Sequence, residues 1–171
     1  MISCMAWLVP TGSPVRDRLA GVIAGLAAEH GAPVFAPHVT MCAVVESSPD
    51  AAALVLERLV AGVPPFEVRL TGVGYEPEFF RSLYLRAEPD ATLTALHEAA
   101  GRAWGLEPGP PYRPHLSLLY SRLPEERKPA IAGALGLALP VTVRIDAAEV
   151  WADFRDDVTR WRRVARVDLT G

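Results

Sequence analysis

The chain has 171 residues, half of them hydrophobic and 22% charged, which suits one domain or two small lobes sharing a core. Its net charge of −3, from 17 basic and 20 acidic residues, is not the basic balance of a protein that grips long nucleic acid by its phosphates. Cys4 and Cys42 are too few for a disulfide framework or a four-ligand zinc site, and no apolar run approaches the ~20 residues of a membrane span. The opening MISCMAWLVP lacks the basic segment of a secretory signal, so a cytoplasmic protein with reduced thiols is expected.

In chain order, a strand is expected over Ser3–Val9, then a helix over Pro14–His30. Ser13 can cap that helix, with Pro14 at its first position and Gly31 as its stop, while Leu19, Val22, Ile23 and Leu26 recur at helical spacing. A strand over Val34–Val45, a helix over Pro49–Ala61 and a strand over Phe66–Tyr75 follow. The pattern then restarts: strand Leu83–Ala87, helix Ala91–Trp104, strand Arg113–Tyr120, helix Glu125–Leu135 and strand Val141–Val150. A closing strand within 158–168 (Arg160–Asp168) ends the chain, and its run TRWRRVARV reads as a solvated strand face. No glycine-rich phosphate loop opens any helix, which disfavours a doubly wound nucleotide-cofactor fold.

The restart carries a repeated sentence. FAPHVTM (Phe35 to Met41) and YRPHLSL (Tyr112 to Leu118) both read aromatic, any residue, Pro, His, aliphatic, Thr or Ser, aliphatic. One step of 77 carries Phe35 to Tyr112, Pro37 to Pro114, His38 to His115 and Thr40 to Ser117. Internal repeats are thus expected at approximately 1–75 and 76–150 of a single bilobal domain. The fold class expected is α+β, with two mainly antiparallel sheets facing a central cleft and helices outside.

Side chains alternate across a strand, so His38 and Thr40 share one face, as do His115 and Ser117, while Val39, Met41, Leu116 and Leu118 turn to a core. Each motif therefore sets an acid–base group beside a hydroxyl donor, and two such pairs can converge on one small anion. Arg113 shares the parity of His115, so it reaches the cleft rim and a second phosphate or else is a surface arginine. There is no H-E-x-x-H, no C-x-x-C and no acidic cluster beside either motif, so neither metal nor cofactor is expected.

HVTM and HLSL together resemble the 2H phosphoesterase superfamily, which is defined by two H-x-[ST]-x motifs. FAPHVTM, PHLSLLY and the near-terminal WLVP look most like the plant and yeast cyclic nucleotide phosphodiesterases. They are less similar to the bacterial RNA 2′,3′-cyclic phosphodiesterases, also called 2′-5′ RNA ligases. The resemblance implies a metal-free cyclic phosphodiesterase acting on nucleoside 2′,3′-cyclic phosphates, to give 2′-phosphates, or on ADP-ribose 1″,2″-cyclic phosphate. It implies His38 and His115 as the acid–base pair and Thr40 and Ser117 as phosphate donors; between the two rings, His115 is taken as base and His38 as acid. Trp7 and Tyr120 sit where the plant-like members place cleft residues, and Phe80 is a further candidate for an aromatic wall. Tyr120 lies at an odd offset from His115, so a bend must re-aim it toward the cleft. The partner expected is a small cyclic-phosphate nucleotide, with RNA ends as a further candidate, no membrane, and a monomeric protein. A non-catalytic RNA-end or nucleotide-binding module, and an RNA end-joining enzyme, are the rival readings.

Overall fold

The computed structural model describes residues 2–107, 109–153 and 157–171, with the backbone alone at 43 and 44. Among these residues, eight strands and four helices follow in the order β1 (Ile2–Val9), α1 (Pro14–His30), β2 (Val39–Ser47), α2 (Pro49–Val60), β3 (Phe66–Gly74), β4 (Leu83–Ala87), α3 (Ala91–Ala103), β5 (His115–Leu119), α4 (Lys128–Ala134), β6 (Val141–Ile145), β7 (Ala147–Ala152) and β8 (Arg162–Asp168). Single 3-10 turns precede β4 (Phe79–Arg81), α4 (Glu125–Arg127) and β8 (Val158–Arg160).

The helix starts follow local chemistry. The Ser13 hydroxyl accepts from the Arg16 amide at 3.1 Å, Ser48 accepts from Ala51 at 3.2 Å, and Asp90 accepts from both Thr92 and Leu93. Gly31 ends α1 in the left-handed region at φ 60°. Leu19, Ile23 and Leu26 bury one stripe of α1, and Ala52, Leu56 and Val60 one stripe of α2. Helix α1 packs on β5 and β6, α2 on β1, β7 and β8, and α3 on β2. Among the described residues no helix is long and apolar enough to cross a membrane.

The fold is α+β, and every strand pairing among the described residues is antiparallel. The two halves expected as separate sheets are joined edge to edge in one eight-stranded sheet of order β6-β3-β4-β5-β2-β1-β7-β8. Strand β2, which follows His38 directly, and β5, which begins at His115, meet at its centre, through the pair Val39 and Leu116 alone among the described residues. Because β2 has β1 on one side and β5 on the other, β3 takes its place between β4 and β6.

Three elements differ from expectation by more than a residue or two. The ladder of β2 begins at Val39 rather than Val34, since Pro33 and Pro37 have no amide proton to donate. The strand expected over Val141–Val150 divides at Asp146 into β6 and β7. The Asp146 carboxylate accepts from the Thr11 amide (2.9 Å) and hydroxyl (2.6 Å), and its carbonyl accepts from Leu169 at 2.8 Å. That residue ties together the ends of three strands instead of continuing one. The helix expected over Glu125–Leu135 is a 3-10 turn leading into a short α4.

Candidate functional site

The central pairing decides which side chains meet. In an antiparallel register through Val39 and Leu116, His38 stands across from Ser117 and Thr40 across from His115. Val39, Met41, Leu116 and Leu118 are all fully buried on the opposite face, as their parity requires. Trp7 pairs with Thr40 on the next strand, and Tyr84 pairs with Ser117 on the other side, which puts both aromatics on the face of the histidines.

Each histidine is oriented by its own motif. His38 Nδ1 lies 2.8 Å from the carbonyl of Ala36, and His115 Nδ1 lies 3.0 Å from the carbonyl of Arg113. The proline between them in each case has a fixed φ and holds the preceding residue extended, which turns that carbonyl back toward the ring. A carbonyl only accepts, so Nδ1 carries the proton in both rings and Nε2 keeps its lone pair for chemistry.

The environments of the two rings differ. His38 is 3% exposed, stacks on Trp7, and has the Phe35 ring edge-on at 6.0 Å. Burial, reinforced by repulsion from a proton on His115, pushes its pKa down to about 4 against the opposing pull of the Ala36 carbonyl. His115 is half-buried, with the Tyr84 ring edge-on at 5.2 Å. Burial also pushes His115 down; the Arg113 carbonyl opposes this, Arg81 adds to it, Glu76 opposes it and Arg113 adds to it. Tyr120 follows β5, one residue past the strand end. Its hydroxyl comes 3.4 Å from His38 Nε2, and its ring stacks on Phe35 at 3.8 Å. Burial pushes the Tyr120 phenol up, so it stays protonated and able to donate.

The other residues expected at the site are placed as follows. Thr40 is half-buried, with its hydroxyl 3.9 Å from the Met5 sulfur. The Ser117 hydroxyl donates to the Phe80 carbonyl at 3.1 Å. Phe80 lies 5.2 Å from Tyr120 and 5.9 Å from Trp161 between ring centroids, as part of an aromatic wall. Arg113 is exposed and pairs with Glu76 at 3.2 Å.

Five further residues come into the site without having been expected there. Tyr84 donates to Glu76 at 2.8 Å, and Arg81 pairs with the same carboxylate at 2.9 Å. Burial alone would raise Glu76, but Tyr84, Arg81 and Arg113 together outweigh it and hold the carboxyl below its usual range. Trp151 and Trp161 lie 4.7 and 5.6 Å from Trp7. The signal for Tyr84 was in the sequence, since the step of 77 that relates the motifs carries Trp7 onto it. Trp151 and Trp161 carry no such mark.

Two cavities flank the histidines. One of about 400 Å³ lies beside His38 among Trp7, Phe35, Pro37, Trp151 and Trp161, with Arg16 at its edge. The other, of about 240 Å³, lies beside His115. Among the described residues no group of three or more His, Cys, Asp or Glu side chains could hold a metal ion.

The sequence model of the 2′-5′ RNA ligase superfamily matches residues 15–157. A cyclic phosphodiesterase of Arabidopsis thaliana is 27% identical over 122 residues, covering 71% of this chain and 67% of that protein. A 2′,3′-cyclic-nucleotide 3′-phosphodiesterase of Yarrowia lipolytica is 34% identical over 102 residues, covering 53% of this chain and 45% of that protein; the chain thus spans less than half the length of the yeast relative. The fold is that of the protein TT0787 of Thermus thermophilus (TM-score 0.65, 17% identity, 99% of each chain). It is likewise that of E. coli LigT complexed with 3′-AMP (TM-score 0.62, 21% identity, 99% of each chain). With most of its length matched by the family model and both paired histidine motifs in place, the chain belongs to the 2′-5′ RNA ligase superfamily, the 2H phosphoesterases.

Proposed function

We propose that this protein hydrolyses nucleoside 2′,3′-cyclic phosphates to 2′-phosphates by acid–base catalysis between His38 and His115, without a metal. The observation that carries this reading is the matched pair of imidazoles on adjoining strands. Each has its Nδ1–H held by the carbonyl two residues earlier and its Nε2 kept for proton transfer. One ring must be neutral and the other protonated when the cyclic phosphate is bound.

Burial favours the reverse of the assignment expected from the sequence. His38, with a pKa of about 4, is neutral at working pH and serves as base. His115 is less buried, has Glu76 nearby, and takes a proton more readily beside a bound phosphate. His38 Nε2 then removes a proton from water, the water oxygen attacks phosphorus, and the bond to the ribose 3′-oxygen breaks as His115 donates its proton to that oxygen. Thr40 and Ser117, their hydroxyls turning from the Met5 sulfur and the Phe80 carbonyl to the bound phosphate, steady the non-bridging oxygens as charge develops, with the Tyr120 hydroxyl beside His38 as a third donor.

The test is turnover of a nucleoside 2′,3′-cyclic phosphate by purified protein, with the product identified as the 2′-phosphate. Tight binding without product would instead make this a nucleotide-binding module.

A further inference from the structure

We propose that Glu149, a buried carboxylate on β7, is a positioning residue for His38: it anchors the Trp151 indole, which holds Trp7 flat against the imidazole. For its effect on turnover this rests on the phosphodiesterase reading above. The strand registers put the parts in one row on the face of the histidines. Trp7 pairs with Thr40 on one side and with Glu149 on the other, and Glu149 pairs with Arg166. Trp151 lies two residues beyond Glu149 on β7 and therefore on the same face.

Glu149 is 4% exposed. Its Oε1 accepts from Arg163 at 2.8 Å and from Arg166 at 3.1 Å, both on β8, and its Oε2 accepts from the Trp151 indole N–H at 2.8 Å. A buried charge is held at a desolvation cost, and apolar residues of the same volume often serve stability as well or better. The sheet does not need this carboxylate to join β7 to β8, which pair from Ala147 with Asp168 to Ala152 with Arg162. What it supplies that an apolar residue could not is an acceptor that fixes an indole.

That fixed indole orients the ring that lies on His38. The Ala36 carbonyl and the Tyr120 hydroxyl meet His38 at its edge and set no plane; the flat contact with Trp7 does. Trp7 Nε1 is buried and has no hydrogen-bond partner among the described residues, so the orientation of Trp7 comes from packing. Trp151 supplies that packing, with its ring 4.7 Å from that of Trp7 and 28° from parallel. The other flank is built alike: Glu76 takes the Tyr84 hydroxyl together with Arg81 and Arg113, and Tyr84 meets His115. The step of 77 carries Trp7 onto Tyr84, yet the outer register partner of Trp7 is Glu149 and that of Tyr84 is Gly74. The two carboxylates thus stand at non-equivalent positions, and chain duplication alone does not account for both.

Histidine NMR and turnover test this together. An indole face shields protons that lie against it, so the His38 ring protons, assigned by their loss in His38→Gln, should resonate upfield of the ordinary histidine range in the wild type. Glu149→Ala should move them back toward that range and lower kcat by up to about 10²-fold, the cost of misplacing a reacting group by about 1 Å. Glu149→Gln, whose amide oxygen can still accept from Trp151, should restore most of both. Trp151→Phe keeps an aromatic ring, and the carboxylate with its arginines, but removes the indole N–H. It should reproduce the Glu149→Ala shift, and it decides the matter if Glu149→Ala does not fold. Unmoved His38 signals in folded Glu149→Ala or in Trp151→Phe would overturn the proposal. So would a lowered unfolding midpoint with kcat and His38 signals unchanged, the mark of a mere strand clamp. A Gln variant as impaired as the Ala variant would overturn it too, because the charge facing β8 and not the indole would then be what matters. Absent turnover by the wild type, with the His38 signals moving as expected, would instead defeat the phosphodiesterase reading and leave the positioning of His38 standing.

Discussion

The indole of Trp7 lies flat on the imidazole of His38, with 3.6 Å between ring centroids and 9° between planes. An aromatic face favours an imidazolium above it, by up to ~2 kcal/mol when water is excluded. Burial acts in the opposite direction and wins, because the pKa of His38 falls to about 4. Trp7 therefore holds a neutral ring in a fixed plane and keeps water from all but the edge that faces the cleft.

Stability should record this as a loss on acidification. The folded pKa of His38, about 4, lies below the unfolded value of 6.5, so the unfolded chain binds the proton first as pH falls. The contribution is intact above pH ~6.5 and is lost progressively down to pH ~4, for a total on the order of 3 kcal/mol. Glu76, held below its usual range, loses its own contribution only at the acid end of that window. Urea unfolding of the wild type and of His38→Gln at pH 7, 6, 5 and 4.5 measures the difference. Equal slopes for the two proteins would show that His38 is not a buried neutral group.

Both imidazoles should prove necessary to turnover. General acid–base catalysis contributes roughly 10²–10⁴ in rate per group, or about 3–5 kcal/mol of barrier. His38→Ala and His115→Ala should each fall in that range while keeping a cooperative unfolding transition. The double variant should lose less than the product of the two losses, because groups acting as a unit are not additive. Fully multiplicative losses would mean that the rings act independently.

The hydroxyls lie across the central pairing from the opposite histidine, Ser117 from His38 and Thr40 from His115. Thr40→Val and Ser117→Ala remove a donor while keeping the packing. Each should cost on the order of 10²–10³ in kcat, the range for a preorganised oxyanion donor. Near-normal kcat in both variants would reduce these residues to strand formers.

Gly74 lets Tyr84 reach His115. A Cβ at Gly74 would sit 2.5 Å from the Tyr84 ring, and no left-handed backbone is involved, so the conflict is steric alone. Gly74→Ala should cost about 1–3 kcal/mol, the range for overpacking, and should displace Tyr84 from Glu76. In a Tyr84→Ala background the same substitution should be nearly neutral. An equal cost in both backgrounds, measured as a double-mutant cycle, would place the strain elsewhere.

Much of this candidate site was legible because its geometry is local. The Pro-His dipeptide both marks the motif and builds the carbonyl contact that orients the ring, so His38 and His115 could be read from seven-residue windows. Parity placed Thr40, Ser117 and the buried Val39 and Leu116 correctly for the same reason. The remainder depends on pairings between distant strands. Glu76 and Arg81 reach His115 only because β3 and β4 form a hairpin beside β5, and Trp161 reaches Trp7 only through the turn before β8. Asp146 looked like one polar residue in an apolar run, and its role as a strand junction needs Thr11, which is far away in sequence.

The pH profile and the response to chelator test the mechanism together. One ring must be neutral and the other protonated, so kcat/KM should be bell-shaped, with limbs that belong to the pair rather than to named residues. Burial lowers both histidines, which sets the acid limb below the ordinary histidine range in the free protein. A chelator should leave the rate unchanged. Each Nδ1 is taken by a backbone carbonyl, so an ion would have only the two Nε2 atoms from these rings. The further His, Cys, Asp or Glu donors it would need are not grouped among the described residues. Activity abolished by chelator and restored by a divalent ion would refute the two-histidine mechanism even if both rings proved essential, because they would then be better explained as ligands.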